Sequence, residues 1–376
     1  MPLTDQFISL DRKQNEFIDD IRIYQCEICG LVQNPIDFNH EGYYDNYGYS
    51  TGHSEFTRAF MRLFAETLCD AFRSVHGREP DSVLEIGSGD GAQLKIFNEL
   101  GIDNVLGIEP SESLVRQSKQ IGVPAFKGLF SNSIISELPR QDFDICLSSF
   151  TLDHMQNPAD YLRTAHGLLI PKGILAFEVH DLSRIAERGE WCLFEHEHTI
   201  YLDADMAQAV LRKNGFKTHI INPLPHSDVR ANSLIVVAYK AEKTLEQTIP
   251  SLVDYSGLQK HIDIIVGRIE TWIDELPPDD ELVGYGAGGR GVMTLATLRN
   301  ANRFSTVFDS KQQSSRLSTP KSRIPVSGLN HLKYYNHSWC LIFSFGYSSE
   351  ITAKLLANGY HQDRIITLQA FYGKSY

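Results

Sequence analysis

Apolar runs of strand length alternate with amphipathic stretches of helical length through most of this chain, and this alternation constrains its fold more than any other feature. The runs SVLEIG, NVLGIE, FDICLSSF and GILAFEV have the length of buried strands, and polar stretches long enough for helices separate them. Strands that alternate with helices form a mainly parallel sheet with helices on both faces. The sequence therefore predicts a doubly wound α/β domain that ends with the strand LIVVAYK near Lys240.

A second, smaller Rossmann-like α/β domain is predicted after a helical linker. ELVGYGAGGRGVMTLATL combines a strand, a glycine loop and a helix, and STVFDS, WCLIFSF and DRIITL supply further strands. The N-terminal part is rich in Tyr, Asn, Gly and Asp and has no long helical period, which predicts a small irregular lobe. We therefore expect three parts: a lobe over 1–58, the doubly wound domain over 59–242, and a C-terminal α/β domain over 243–376.

The charge and hydropathy of the chain restrict its partners and its location. Its 376 residues include 35 basic and 47 acidic side chains, and the formal net charge of -12 argues against a general electrostatic hold on nucleic acid or anionic lipid. Apolar runs stay shorter than the roughly 18 residues that cross a bilayer, and the polar N-terminus does not resemble a secretory signal. We expect a cytoplasmic monomer or weak homodimer that acts on a small molecule, without nucleic-acid or membrane partners.

A glycine loop with a preceding carboxylate follows the first strand, in the order Glu85-Ile86-Gly87-Ser88-Gly89-Asp90-Gly91. The glycines let the backbone pass close to a nucleotide-like ligand. The loop lacks the spacing of dinucleotide and phosphate loops, and its carboxylate suits a cation better than a pyrophosphate. Glu109 ends the next strand, where it can accept hydrogen bonds from both hydroxyls of a ribose. Together these features indicate S-adenosylmethionine.

The loop and the GIEPS segment resemble the class I methyltransferases, which bind S-adenosylmethionine in a doubly wound domain. This resemblance implies that the ends of the first four strands line the cofactor, with the adenine edge near the third strand and the sulfonium near the fourth. A doubly wound domain whose loop binds nothing, or a different nucleotide, is the alternative. The predicted cofactor residues are Glu85, Gly87, Gly89, Glu109, Pro110, Leu129, Phe130 and Ser149.

Two segments carry candidate catalytic histidines. His154 follows the fourth strand, where a histidine that only packs and donates hydrogen bonds is the alternative. Further on, Glu195-His196-Glu197-His198 places two histidines and two carboxylates together. Alternate residues of an extended segment share a side, which leaves too few ligands for a closed metal site, so we predict no metal. A histidine beside a carboxylate can remove a proton near neutral pH, and a solvated turn is the alternative.

The order of these parts resembles the sugar C-methyltransferases of deoxysugar pathways over nearly the whole chain. In that family S-adenosylmethionine methylates a carbon next to the 4-keto group of a nucleotide-linked 6-deoxysugar, after a histidine removes the proton. The resemblance implies that His198 is the base and Glu197 its neighbouring glutamate. It also implies that His154 is the second active-site histidine and that Tyr49 is the active-site tyrosine.

Two departures from the family's motifs bear on the substrate. Glu195 occupies the tyrosine position of the family's Tyr-x-Glu-His motif, and it is therefore a further catalytic candidate. The family's Gly-Gly-Ser-Leu-Arg motif appears as Ala231-Asn232-Ser233-Leu234-Ile235, without the two glycines and the arginine. We therefore expect the substrate to differ in detail from those of the family.

Cys26-Glu27-Ile28-Cys29 has the spacing of half a structural zinc site, and a tetrahedral site needs two more ligands. The family supplies them from an earlier CxxC, whereas the 25 residues before Cys26 contain no cysteine. His40 and His53 are the candidate replacements. The sequence favours a knuckle held by packing over bound zinc.

The C-terminal half offers a second glycine loop and a basic patch. The loop Gly284–Gly291 includes Arg290, and Asp309 ends the next strand. A dinucleotide site, a role in substrate binding and a purely structural turn stay open. The basic residues of the stretch 311–323, which has no acid, are Lys311, Arg316, Lys321 and Arg323. Such cations suit a diphosphate, and a flexible solvated loop is the alternative.

The sequence thus predicts a C-methyltransferase that uses S-adenosylmethionine on a nucleotide-activated keto sugar. We assign substrate contacts to Arg290, Lys311, Arg316 and Arg323. An O- or N-methyltransferase, in which His198 deprotonates a hydroxyl or an amine, is the nearest rival. A nucleotide-binding module without chemistry is the rival from another class. The sugar, the methylated carbon and the nucleotide base stay open.

Overall fold

The computed structural model describes residues 1–4, 7–9, 16–35, 43–44, 55–224, 232–242, 246, 250, 252–310 and 316–372. The strands of these residues are β1 Ile8–Ser9, β2 Tyr24–Gln25, β3 Val32–Gln33, β4 Ser82–Ile86, β5 Asn104–Glu109, β6 Ala125–Lys127, β7 Phe143–Ser149, β8 Leu169–Val179, β9 Ile200–Tyr201, β10 Phe216–Ile221, β11 Leu234–Lys240, β12 Leu282–Tyr285, β13 Phe304–Asp309, β14 Leu317–Ser318, β15 Pro325–Gly328, β16 Trp339–Ile342 and β17 Ile365–Thr367. The α-helices are α1 Glu55–His76, α2 Ala92–Glu99, α3 Glu112–Gln120, α4 Asn132–Ile135, α5 Pro158–Leu168, α6 Leu182–Arg188, α7 Ala204–Lys213, α8 Leu258–Glu275, α9 Gly289–Thr297 and α10 Ser348–Ala357.

Short 3₁₀ helices supplement these elements, at Leu152–His154, Trp191–Leu193, Ala301–Arg303, Leu329–Tyr334, Gln362–Arg364 and Leu368–Phe371. None of the helices in the described residues combines the length and apolar content that crossing a membrane requires.

The contacts group the chain into two compact units, which we call the larger and the smaller unit. The larger unit comprises Ile23–Leu182 and Glu197–Val253. The smaller unit comprises Met1–Arg22, Ser183–His196 and Asp254–Tyr376. The described residues of the predicted lobe therefore contribute to both units, and the predicted domain boundaries stay a prediction.

A seven-stranded sheet in the order β10-β11-β8-β7-β4-β5-β6 forms the centre of the larger unit. The pairs from β8 through β7, β4 and β5 to β6 are parallel, whereas β11 is antiparallel to both of its neighbours. The strands β4 and β7 have apolar side chains on both faces of the sheet. These side chains pack with residues of the helices into two buried clusters, one on each face. This arrangement confirms the predicted doubly wound α/β fold of the class I methyltransferases.

The strand order places a ligand crevice at a defined edge of that sheet. From β4 the chain proceeds outward to β5 and β6, and it then returns to place β7 on the other side of β4. Ligands of doubly wound domains bind outside the carboxyl ends of the strands at such a reversal. The residues that follow β4, β5, β7 and β8 are therefore the candidates for the site.

A small three-stranded sheet joins the N-terminal hairpin to the larger unit. The strands β2 and β3 form the hairpin, and β3 pairs with β9, where Val32 is opposite Tyr201. The turn between β2 and β3 needs a left-handed residue, which Gly30 provides with φ of 78°. The pairing holds the hairpin beside the segment that follows His198.

The smaller unit has its own seven-stranded sheet in the order β1-β14-β15-β13-β12-β16-β17. The strands β15, β13, β12, β16 and β17 are parallel, as in a Rossmann-like domain. At one edge β1 pairs with β14, so that Ile8 lies opposite Ser318. An apolar cluster that includes Val283 and Leu355 packs against this sheet.

Candidate active site

The first glycine loop has a backbone that only glycine adopts at low cost. The φ angles of Gly87, Gly89 and Gly91 are 73°, 54° and 80°, all in the left-handed region. A Cβ on Gly87 would also overlap the hydroxyl of Thr151, in the turn that follows β7. The loop backbone therefore passes directly against that turn, at the edge where a ligand is expected.

Glu109 is held by the same loop. Its Oε2 accepts a hydrogen bond from the Gly89 backbone N–H at 2.9 Å, and its Oε1 accepts one from Ser111 N–H at 2.8 Å. Burial raises the pKa of this carboxyl, and the two N–H donors oppose that effect. Each oxygen of a carboxylate can accept a second hydrogen bond, so Glu109 keeps the capacity to bind ribose hydroxyls. The residues of this loop fit S-adenosylmethionine.

The remaining predicted cofactor residues lie at the carboxyl ends of the neighbouring strands. Glu85 is buried within β4, Pro110 follows β5, and Ser149 ends β7. After β6, Leu129 is half exposed, and the ring of Phe130 contacts Tyr161 at 5.3 Å between centroids. Their positions agree with the expected crevice, and their individual contacts with the cofactor stay predictions.

His154 and His198 form a ring pair in the larger unit. Their ring centroids are 4.7 Å apart and the planes are nearly perpendicular, at 89°. His198 is 4% exposed, whereas His154 is half-buried. The segment after His198 is tied to the turn that carries His154, because Thr199 N–H donates to the Asp153 carbonyl at 2.7 Å. Two histidines 44 positions apart therefore face each other at the carboxyl end of β7.

Two tyrosines that were not predicted from the sequence lie here, one in contact with His154 and the other in contact with Glu197, which precedes His198. The Tyr43 hydroxyl donates to Glu197 Oε1 at 3.0 Å, and the Tyr44 hydroxyl is hydrogen-bonded to His154 Nδ1 at 3.0 Å. The predicted tyrosine, Tyr49, lies outside the described residues. The tyrosine-rich run around these positions was the available indication, although it does not identify which tyrosines make the contacts.

Asp153 and His180 also adjoin His198, although neither is among the site residues predicted from the sequence. A side-chain donor atom of each of the three lies within 4.8 Å of the others. Asp153 is 3% exposed, and burial raises the pKa of its carboxyl to about 6 against the opposing effect of His198. His180 directly follows β8, and its Nδ1 is 3.2 Å from the carbonyl oxygen of Asn232. His180 directly follows β8 and Asp153 lies in the short helix after β7, and this location after strand ends is the indication that could have identified them.

The Glu195–His198 segment is divided between the two units. Glu197 and His198 belong to the larger unit, whereas Glu195 and His196 belong to the smaller. There Glu195 Oε2 accepts a hydrogen bond from the Thr4 hydroxyl at 3.2 Å. The structure thus brings His154 and His198 together, with Glu197 next to His198 in the chain, and the catalytic roles of all these residues, like that of Glu195, stay predictions.

Arg290 uses its guanidinium within the smaller unit. It contacts Glu190 Oε2 at 3.3 Å and Cys192 Sγ at 3.3 Å, and it lies 3.9 Å from the ring centroid of Phe345. Its side chain is 16% exposed, and that of Glu190 is fully buried. The charge of Arg290 is therefore paired, and its assignment to the substrate stays a prediction.

The basic patch has an acidic partner from far away in the sequence. Glu16 accepts a hydrogen bond from the Arg323 guanidinium at 2.8 Å and another from the Lys321 backbone N–H. Arg316 is exposed, and Lys311 lies outside the described residues. The stretch 311–323 is thus less basic in the folded chain than its own sequence indicates, and its substrate role stays a prediction.

The second glycine loop repeats the arrangement of the first. Asp309, which ends β13, accepts a hydrogen bond on Oδ2 from the Ala287 N–H at 2.8 Å. Gly286 has φ of 98°, and a Cβ on Gly291 would overlap the carbonyl of Gly286. A carboxylate at the end of the second strand therefore holds the loop after the first strand, as Glu109 does in the larger unit.

Cys26 and Cys29 lie in a tight turn. Cys26 N–H donates to the Leu31 carbonyl at 2.9 Å, and Gly30 N–H donates to the Cys26 carbonyl at 2.8 Å. Hydrogen bonds from backbone N–H groups of Cys29 and Ile28 lower the pKa of the Cys26 thiol. Within the described part of the chain these cysteines have no third ligand, and both His40 and His53 lie outside it.

Comparison with known proteins gives one family match. Residues 55–219, from the start of α1 into β10, match a family model described as a methyltransferase domain. This range contains the first glycine loop, Glu109, Asp153, His154 and His198.

Several curated relatives have detectable similarity, among them these three. C-methyltransferase NovU from Streptomyces niveus is 22% identical over 291 residues, which are 72% of this chain and 68% of the relative. An uncharacterized protein from Haemophilus influenzae is 30% identical over 116 residues, 29% of this chain and 46% of the relative. A ubiquinone biosynthesis O-methyltransferase from Rhodopseudomonas palustris is 30% identical over 95 residues, 25% of this chain and 37% of the relative. The chain thus spans about two thirds of NovU and less than half of the other two.

Solved structures that match part of this chain have low sequence identity to it. The plantazolicin methyltransferase BpumL in complex with SAH is 16% identical, with a TM-score of 0.41, and the match covers 54% of this chain and 89% of that one. A possible histamine N-methyltransferase from Thermotoga maritima is 22% identical, with a TM-score of 0.35, and the match covers 49% of this chain and 91% of that one.

Proposed function

We propose that this chain, an S-adenosylmethionine-dependent methyltransferase, transfers the methyl group to a carbon next to a carbonyl in a nucleotide-activated keto sugar. The match over 55–219 confirms the predicted enzyme class, and the glycine loop with Glu109 fits the predicted cofactor. The observation that carries the proposal is the ring pair of half-buried His154 and buried His198 at the carboxyl end of β7.

A carbon acceptor needs such a base more than an oxygen or nitrogen acceptor does. Hydroxyl and amine acceptors already have a lone pair, whereas a carbon next to a carbonyl becomes nucleophilic only after it loses a proton. A positioned histidine is suited to that proton transfer. His198 is 4% exposed, so water competes little for its lone pair. The similarity to C-methyltransferase NovU supports the same choice.

In the proposed reaction His198 removes the proton, and the electron pair of the C–H bond moves into the enolate. S-adenosylmethionine, held by the first glycine loop and Glu109, would supply a sulfonium-bound methyl group for the enolate carbon, and its sulfur would depart as a neutral thioether. His154 is held by Tyr44, and its ring faces His198, where it can orient the imidazole or relay the proton. Tyr43 fixes the carboxylate of Glu197.

The smaller unit supports a nucleotide as part of the substrate. Its glycine loop and Asp309 repeat the Gly89–Glu109 arrangement of the larger unit. A carboxylate at this point of a Rossmann-like domain suits ribose hydroxyls. Arg316 is exposed and can reach an anionic group, for which arginine provides bidentate hydrogen bonds. We assign the nucleoside to this unit and the diphosphate to its basic stretch.

The test follows the substrate carbon. The enzyme is incubated with a nucleotide-linked 4-keto-6-deoxysugar in deuterated water, with and without S-adenosylmethionine. We expect deuterium at the carbon next to the carbonyl, and a methyl-sized mass gain with the cofactor. His198→Asn should lower both rates by about 10²–10⁴-fold. His219→Asn, on the exposed side of β10, is the matched control and should react like the wild type.

Two outcomes would contradict the proposal. Methyl transfer without any exchange of the carbon-bound proton in a panel of keto sugars, together with methyl on oxygen or nitrogen, would establish the rival O- or N-methyltransferase. Cofactor binding without turnover on any sugar nucleotide would favour a binding module.

A further inference from the structure

Asp153, His180 and His198 place two imidazoles and one carboxylate around a common point in the larger unit. Their donor atoms all lie within 4.8 Å of one another. We propose that these three residues bind a divalent transition-metal ion of the Zn²⁺ or Co²⁺ type, and that the bound ion inhibits the enzyme. The inhibition rests on the proposed function of His198, whereas the binding does not.

The environment of Asp153 is the strongest argument for a cation site. The side chain is 3% exposed, and neither carboxylate oxygen has a hydrogen-bond partner within the described residues. A buried carboxylate without partners is costly, and buried charges in proteins are paired or coordinate metals. A cation between Asp153 and the two imidazoles would supply the partner that this carboxylate lacks among the described side chains.

The second coordination sphere of His180 is already in place. Its Nδ1 lies 3.2 Å from the Asn232 carbonyl, and Asn232 Oδ1 accepts a hydrogen bond from the Asp181 N–H at 2.9 Å. Histidines that bind metals commonly donate their other ring N–H to a carbonyl or carboxylate. Donation from Nδ1 fixes the tautomer of His180 with its lone pair on Nε2, where a metal can bind.

The donor set selects the kind of ion. Nitrogen and carboxylate ligands suit Zn²⁺ and Co²⁺, whereas Ca²⁺ and Mg²⁺ prefer sites made of oxygen. Two ligands at about 2.1 Å from one ion are at most about 4.2 Å apart. Side-chain shifts of less than about 1 Å would therefore close the three residues on an ion. Three protein ligands leave further positions for water or for a substrate oxygen.

Inhibition would follow because the metal and the substrate proton compete for the same nitrogen lone pair of His198. A metal on His198 occupies the nitrogen lone pair that would accept the substrate proton. The C–H bond then stays intact, and no enolate forms. A chelator should restore the activity of the metal-inhibited enzyme, because the ion is held reversibly by neutral imidazoles and one carboxylate.

The experiment measures binding first and activity second. Zn²⁺ is titrated calorimetrically into the metal-free full chain, and Co²⁺ binding is followed by visible absorption. We expect one equivalent bound through nitrogen and oxygen, and a loss of affinity of at least about tenfold in Asp153→Asn and in His180→Gln, in line with lost metal ligands. S-adenosylmethionine binding by each variant shows that it is folded.

Two control variants separate this site from others. His219→Gln removes an exposed histidine of the same unit and should bind the metal like the wild type. The double variant Cys26→Ser/Cys29→Ser removes the knuckle thiols and should also retain the ion. Thiolate-to-cobalt charge-transfer absorption would reveal binding at the cysteines.

The site is wrong if the wild type binds neither ion, if both ligand variants bind like the wild type, or if the cysteine variant alone loses the ion. The inhibitory role is wrong if saturating Zn²⁺ leaves turnover unchanged. Because binding is measured without substrate, a failure of the proposed methyl transfer would leave the test of the metal site intact.

Discussion

The hydroxyl of Tyr44 is hydrogen-bonded to Nδ1 of His154 at 3.0 Å, across 110 positions of the chain. Tyr44 precedes the first long helix, and His154 ends the short helix after β7. The contact fixes the orientation of the His154 imidazole, which is nearly perpendicular to the His198 ring in an edge-to-face pair. The N-terminal segment therefore takes part in positioning the candidate catalytic histidines.

Removal of the Tyr44 hydroxyl tests whether its hydrogen bond positions His154. Tyr44→Phe should lower kcat by about tenfold, since a neutral hydrogen bond contributes about 0.5–1.5 kcal/mol and the ring contacts are retained. Calorimetric affinity for S-adenosylmethionine should not change. Tyr24→Phe, on an exposed tyrosine of β2, is the matched control. Equal kcat in both variants would show that Tyr44 does not position His154.

Glu109 should account for much of the cofactor affinity. Glu109→Ala removes both acceptors for the ribose, and a hydrogen bond to a charged group is worth about 1.5–3 kcal/mol, so the Kd for S-adenosylmethionine should rise by roughly ten- to a hundredfold. Glu112→Ala, whose exposed carboxylate pairs with Lys127, should bind normally. Isothermal titration calorimetry with unchanged affinity for Glu109→Ala would contradict the assignment.

The loop glycine at position 87 should tolerate no side chain. Gly87→Ala forces a left-handed alanine and also overlaps the Thr151 hydroxyl. Gly77→Ala is the matched control, because its φ is 66° but a Cβ there would meet nothing within 4 Å. The control should lose about 1–2 kcal/mol of unfolding free energy, from backbone strain alone. In urea denaturation Gly87→Ala should lose clearly more, and equal losses would show that the contact with Thr151 relaxes freely.

Asp144 should stabilise the larger unit in a pH-dependent manner. Burial by itself raises the pKa of the Asp144 carboxyl. Hydrogen bonds from the Arg78 guanidinium and the Asp81 N–H lower it, and together they outweigh burial, so the pKa lies below the ordinary value. The stabilisation is therefore complete above the pKa of the unfolded chain, about 3.9, and is lost as the pH falls through the lower folded value.

The expected effect of Asp144→Asn is a loss of about 1–3 kcal/mol in unfolding free energy at pH 7. The difference from the wild type should shrink below about pH 4, where the unfolded carboxyl is protonated. Asp142→Asn, which removes an exposed carboxylate, serves as the control in the same denaturation series. A difference that stays constant down to pH 2 would exclude the ion pair as its source.

Substrate charge can be tested at Arg316. If its guanidinium contacts a diphosphate, Arg316→Gln should raise the substrate KM several-fold and leave the Kd for S-adenosylmethionine unchanged. Added salt should weaken capture by the wild type more than by the variant, because the Debye length is about 10 Å at 0.1 M. Arg303→Gln, in a short helix of the same unit, is the control. Equal KM values at each salt concentration would exclude this contact.

Local sequence patterns determined the features that depend on neighbouring residues. The alternation of strands and helices predicted the sheet of the larger unit, because strand and helix periods can be recognised in short windows. The glycine loop and the position of Glu109 followed in the same way, since a strand, a tight turn and a helix succeed one another within a few residues. Compact strand–turn–helix units carry their geometry in their own spacing.

Contacts between distant segments were decided by the tertiary structure alone. Tyr43 and Tyr44 are hydrogen-bonded to Glu197 and His154, more than 100 positions away in the sequence, and β3 of the N-terminal hairpin pairs with β9, which follows His198. Glu16 neutralises Arg323 across more than 300 positions, and no local pattern indicates that ion pair. Which side chains meet at a strand end depends on how whole elements pack, and that packing minimises a free energy to which every segment of the chain contributes.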